Sequence, residues 1–169
     1  MEFKPSLALL VLTASLVGCA GEFQEELVAQ RARLVLSTEP PGAIGVLDVC
    51  EQLDSLNKRE LVIVGKIGGV AEPWTPGQAT FVIADPFLLV GDEHNPQCDC
   101  PFCESNRNLD PVAGLALVEF NSDDGKVLSI DAQRLFEVKT HQTVVVRGRA
   151  HTNELGNLIV AANGLYVRR

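Results

Sequence analysis

Two neighbouring runs decide the fold: Thr143–His151, TVVVRGRAH, and, after a short gap, Leu158–Val167, LIVAANGLYV. Val144, Val145 and Val146 are β-branched, a shape that crowds the preceding turn of a helix but packs well on a pleated strand. Beyond them the chain alternates, so Arg147, Arg149 and His151 share one face of the strand. Asn153-Glu154-Leu155-Gly156-Asn157 is rich in turn formers. The second run carries Asn163-Gly164 in its middle, which predicts a bulge before Leu165-Tyr166-Val167. The C-terminal part of the chain therefore reads as two long strands joined by a tight turn.

Working outward, three more runs have strand character: Glu60–Ile67, Ala79–Ala84 closed by Asp85-Pro86, and Leu115–Phe120. The third enters Asn121-Ser122-Asp123-Asp124-Gly125. This stretch has calcium-type oxygens but lacks the alternation and distant Glu of an EF-hand loop, so Asp124-Gly125 reads as a hairpin turn leading to Lys126–Ile130. Two segments have helical spacing. Val46, Leu47, Val49, Cys50, Leu53 and Leu56 recur along Gly45–Asn57, and Asp131 precedes a short run to Phe136 in the position of a cap. Trp74, between the first two strands, reads either as an exposed binding anchor or, more simply, as a cover for one end of the fold. His141 has no evident partner in the sequence.

Strands, then a short helix between the third and fourth, then a closing hairpin is the order of the OB-fold. The stretches ELVIVGKIGG, ATFVIADP, TVVVRGRAH and GNLIVAANGLYV resemble the strands of bacterial cell-envelope OB-fold proteins, over about residues 60–168. Gly65 and Gly148 fall where such strands coil sharply. The expectation is a mostly β domain, a five-stranded OB-fold-like Greek-key barrel with a short helix between strands 3 and 4 and an N-terminal helix. A β-sandwich is the alternative. Either architecture hosts many unrelated tasks, so the fold alone names no ligand.

The start of the chain is of another kind. Pro5–Val17 is apolar but shorter than the roughly 20 residues that span a bilayer. With Lys4 before it, it has the shape of a secretory signal, though Glu2 weakens the basic start. Leu16-Val17-Gly18-Cys19 resembles the lipobox of bacterial lipoproteins. The resemblance implies a signal peptide over 1–18, a lipid on the Cys19 sulfur, and a membrane anchor. Ala20 rather than Asp after the Cys implies the outer membrane, facing the periplasm. Residues 19–41, polar at first and breaker-rich over Ser37–Gly42, read as a tether or linker, with Arg33–Leu36 either a short strand or part of it. Residues 42–169 read as one domain. The net charge of −8 and a sequence pI near 4.8 argue against nucleic acid, which requires a basic face.

An unpatterned insertion over 91–111 interrupts the strands and holds HNPQCDCPFC, His94–Cys103. His94, Cys98, Cys100 and Cys103 have the number and type of ligands for a tetrahedral Zn site, and their thiolates also suit Cu. A second reading follows from the oxidising address: Cys50, Cys98, Cys100 and Cys103 make an even number, able to form two disulfides in three connectivities. A third is thiol–disulfide exchange at Cys100-Pro101-Phe102-Cys103. It is weakened by the turn-rich Glu104–Pro111 where an activating helix would be needed. No catalytic triad, nucleophile elbow or phosphate loop is present. Arg147, Arg149 and His151 form a weak anion-binding candidate; a solvated strand face is the plainer reading. The expected function is a lipid-anchored envelope module, binding rather than catalytic, for a protein or small-molecule ligand, with Zn or Cu as the only cofactor. The alternative is an envelope scaffold with a disulfide-stapled loop, and the thiol oxidoreductase comes after it.

Overall fold

The computed structural model describes residues 18–56, 59–88 and 112–169. The insertion 91–111, with His94, Cys98, Cys100 and Cys103, lies outside the described residues, as does the signal segment up to Val17. The described elements are α1 (Gly18–Leu34), β1 (Ile44–Gly45), α2 (Val46–Leu56), β2 (Glu60–Ile67), β3 (Thr80–Ala84), β4 (Leu115–Phe120), α3 (Ala132–Phe136), β5 (Thr143–Thr152) and β6 (Leu158–Val167). The fold is mostly β, a six-stranded mixed sheet with few helices.

The sheet runs β1-β2-β3-β4-β6-β5, and β5 also pairs with β2. The β2–β3, β3–β4, β5–β6 and β2–β5 pairs are antiparallel; β4–β6 and β1–β2 are parallel. Five of the strands are those the sequence predicts. The sixth, β1, is a two-residue addition that lies beside Ile63 and Val64. It carries too few residues to leave a periodic signal.

Alternation decides which face each strand buries. Leu61, Ile63 and Ile67 of β2, Phe81 and Ile83 of β3, Ala116, Val118 and Phe120 of β4, and Leu158 and Val160 of β6 point into the core. The core is aromatic at one end. Phe120 lies 4.4 Å from Phe136 and 6.2 Å from Phe81, ring centre to ring centre, and each such pair adds about 0.5–1.5 kcal/mol beyond burial. Trp74 lies half-buried against Phe81 at 5.8 Å, so it covers the core as the plainer reading has it. His141 takes a positive φ and donates its backbone N–H to Ile67 O at 2.7 Å.

The predicted bulge is present. Arg147 pairs with Gly164 but Gly148 pairs with Ala162, which leaves Asn163 as the extra residue. Gly148 is required there: a Cβ would lie 2.8 Å from the Cα of Ala162, against backbone that cannot yield. Gly65 makes room in a different way, since its Cβ would meet the Cβ of Ile83 at 2.9 Å.

Two local expectations are corrected. Asp131 occupies the N-cap position of α3 but makes no side-chain cap; its Oδ1 accepts instead from Gly77 N–H at 2.7 Å. Residues 19–41, expected as a tether, contain all but the first residue of the 17-residue helix α1, latched to the body. Leu27 and Leu34 are buried. Arg31 donates from Nε to Leu135 O at 2.8 Å and from Nη2 to Arg134 O at 2.7 Å, and pairs with Glu137 through Nη1. These are carbonyls in the last turn of α3, where a cation is favoured by the helix dipole. Beyond α1, Val35 bridges to Leu165, Leu36 N–H donates to Leu165 O at 2.8 Å, and Glu39 pairs with Arg168.

Candidate binding cleft

A half-buried strand normally turns polar side chains outward. Across β3, β4 and β6 the outward row is apolar: Val82 stands in register with Leu117, and Leu117 with Ile159. All three are only partly buried. They form the floor of a cleft of about 430 Å³. Val70, from the segment between β2 and β3, and Leu115 wall it on one side; the Asn153–Asn157 turn walls the other; Cys50 of α2 reaches its rim. Among the described residues no charged side chain lines it.

The walls are held by local bonding. In the β5–β6 turn, Asn153 Oδ1 accepts from the N–H groups of Leu155 at 3.0 Å and Asn157 at 2.9 Å. Gly156 N–H returns to Asn153 O at 3.0 Å, with Gly156 at a positive φ of 81° that favours glycine. That bonding presents Leu155 to solvent at the tip, 84% exposed.

Asp85 positions α2, which carries the rim residue Cys50. Its carboxylate is buried, 2% exposed, and both oxygens are used. Oδ2 accepts from Leu47 N–H at 2.9 Å at the start of α2, and Oδ1 accepts from Phe87 N–H at 2.8 Å. The cap of α2 is thus supplied by a residue 38 positions away. Gly45 makes room for it, because a Cβ there would sit 2.5 Å from Asp85 Oδ2. Cys50, one turn further along α2, forms no disulfide among the described residues. Burial pushes its pKa up, and the negative charges of Asp85 and Glu51 push it further. Chemically the thiol is a small, weakly polar, unreactive group at the cleft rim.

Arg147, Arg149 and His151 do not line the cleft. Arg147 donates from Nε to Asn163 Oδ1 at 2.9 Å and lies 4.0 Å from Glu60, which also accepts from Asn163 Nδ2 at 2.7 Å. Glu60 stands in register with Arg149 on the neighbouring strand; Arg149 and His151 are exposed. The acidic turn is occupied as well. Asp123 pairs with Arg33, and Asp124 with Ser122 and Lys126; the Ser122 hydroxyl, first among these, holds the Asp124 carboxyl below its ordinary range. Among the described residues no three His, Cys, Asp or Glu side chains come together as a metal site. The four candidate ligands of the insertion lie outside those residues. Cys19 falls in the first turn of α1. No helix among the described residues is long and apolar enough to cross a membrane.

The sequence reading missed the cleft. Its signal was available in LALVEF, where Leu115 and Leu117 are apolar on the face opposite Ala116 and Val118.

No family model matches the chain, and no curated protein does. Among solved structures, a chain assigned as an aspartyl-tRNA synthetase from Leishmania major Friedlin is similar over 86% of this chain, at 9% identity and a TM-score of 0.46. The present chain spans 26% of that one's length.

Proposed function

We propose that the chain is a lipid-anchored binding module of the bacterial cell envelope, an OB-fold whose outer cleft takes an uncharged, largely apolar ligand. The observation that carries this reading is the circuit of pairings β2–β3–β4–β6–β5–β2, with β4 and β6 parallel and α3 between β4 and β5. That circuit supports reading the sheet as a five-stranded Greek-key barrel with β1 as an added strand. In OB-folds, ligands lie on the face of the second and third strands, between the loop after strand 1 and the loop before strand 5. Those elements here are β3, β4, the 68–79 segment and the Asn153–Asn157 turn, and the cleft lies among them. Its volume falls in the range of about 300–1,000 Å³ usual for small-ligand sites. The lining favours apolar groups, with backbone, Asn153 and Asn157 as the polar elements near it. The net charge of −8, with no basic residue lining the cleft among the described residues, disfavours nucleic acid.

Two parts of the reading rest on sequence alone. The membrane address and the lipid on Cys19 rest on Leu16-Val17-Gly18-Cys19. A Zn or Cu ion held by His94, Cys98, Cys100 and Cys103 rests on ligand number and spacing. Such an ion would organise an insertion without a hydrophobic face and would supply no reaction of its own. Metal analysis and thiol counting on one sample, purified without reductant or chelator, test that part. About one equivalent of metal with three coordinated thiols supports it; less than about a tenth of an equivalent with no free thiol in the insertion leaves the disulfide-stapled scaffold. The cleft itself is tested by titrating the protein with Nile red, an uncharged apolar fluorophore.

A further inference from the structure

We infer that residues 19–39 form a rigid arm that holds the body of the protein against the lipid surface in one pose, in place of a loose tether. This rests on the proposed lipidation of Cys19. A lipoprotein with a flexible linker can reach far from its bilayer, at roughly 5–6 Å times the square root of the linker length. Here the chain between the anchor and the body has no such slack.

Helix α1 already includes position 19 and continues without a break to Leu34. The first latch is at Phe23, whose ring lies under the Arg134 guanidinium at 4.5 Å and packs against the core. Phe23 lies four helical positions beyond Cys19, a rise of about 6 Å. Leu27, Arg31 and Leu34 repeat the contact at helical spacing: two are buried, and the Arg31 fork is tied to Leu135 O, Arg134 O and Glu137. Arg33 pairs with Asp123 on the β4 hairpin turn. After the helix the Leu36–Leu165 backbone bond and the Glu39–Arg168 pair fasten the chain to β6 and its end. Contacts spread over 17 positions from Phe23 to Glu39 fix both the direction and the rotation of the arm, where one contact would fix neither. Ligands of the cleft would then be met at the bilayer surface and from a constant angle.

The sole tryptophan is a natural reporter. Its ring meets Phe81, Phe81 meets Phe136 of α3, and α3 also carries Arg134, which sits over the Phe23 ring. The experiment uses the full acylated chain, reconstituted into phosphatidylcholine vesicles that contain a dansyl lipid. Energy transfer from Trp74 to the dansyl headgroup is compared with that of a variant carrying fifteen Gly/Ser residues between Glu22 and Phe23. The arm predicts strong transfer in the natural chain and a loss of about two-fold or more in the variant, whose linker adds roughly 20 Å of reach. Equal transfer from both acylated chains would overturn the arm while leaving the anchor standing. A chain that carries no acyl group and does not float with vesicles, with Cys19→Ser behaving identically, would remove the anchor itself and the arm's role with it.

Discussion

Asp85 caps a helix to which it is not adjacent in sequence: its Oδ2 accepts the Leu47 N–H at 2.9 Å, across 38 residues. The bond ties the end of β3 to the start of α2, and so sets where Cys50 stands at the rim of the cleft.

Asp85→Ala should therefore cost more than an ordinary surface change. It leaves the Leu47 and Phe87 N–H groups without the acceptors they now have, and losing a cap or a buried acceptor costs about 1–3 kcal/mol. Asp85→Asn, which keeps one acceptor oxygen, should fall between. Urea midpoints of the three proteins check the order; an Asp85→Ala midpoint equal to that of the natural chain would remove the cap from the account.

Arg31 and Arg33 are neighbours in sequence and unequal in effect. Arg31 is two-thirds covered, with three partners, whereas Arg33 meets Asp123 in a pair whose acid is 97% exposed. Arg31→Ala should destabilise by about 1–3 kcal/mol, and Arg33→Ala by less than about 0.5 kcal/mol. Thermal unfolding of both variants, with amide exchange across α1, distinguishes them. Equal, small effects would mean that α1 is not part of the cooperative unit.

Cys50 should be slow to alkylate at neutral pH. Its thiol pKa is raised by burial first, and by Asp85 and Glu51 after it. A raised pKa means that the folded protein holds the proton more tightly than the unfolded chain. The stabilising contribution is thus complete below the ordinary thiol range and is lost as pH climbs through and above it. Peptide-mapped iodoacetamide labelling should show the Cys50 rate rising only above the pH at which a free thiol ionises. A rate at neutral pH matching that of the unfolded chain would contradict the burial argument.

Much of the fold is legible because strands that bury one face announce it by period. Glu60–Ile67, Leu115–Phe120 and the two C-terminal strands were readable in this way, down to the Asn163 bulge. Helix α1 was hidden because Arg31 takes a place in its inward stripe. A cation there looks solvated until the α3 carbonyls it serves are in view. Asp131 misled in the opposite direction: a residue in the right position for a cap spends its oxygen on Gly77. The cleft depends on register between strands far apart in sequence, Val82 with Leu117 and Leu117 with Ile159, and no local pattern carries that pairing.

The central claim is that this outward apolar row binds an uncharged ligand, and Nile red titration tests it most directly. Leu117→Asp places a charge in the middle of the floor and should weaken binding about ten-fold or more, a difference of about 1.4 kcal/mol. Arg149→Ala, on the exposed strand face outside the cleft, should leave binding unchanged. Saturable binding lost in Leu117→Asp, with both variants folded by circular dichroism, is the predicted result. Equal affinity in the natural chain and in folded Leu117→Asp, or no saturable binding to either, would contradict it.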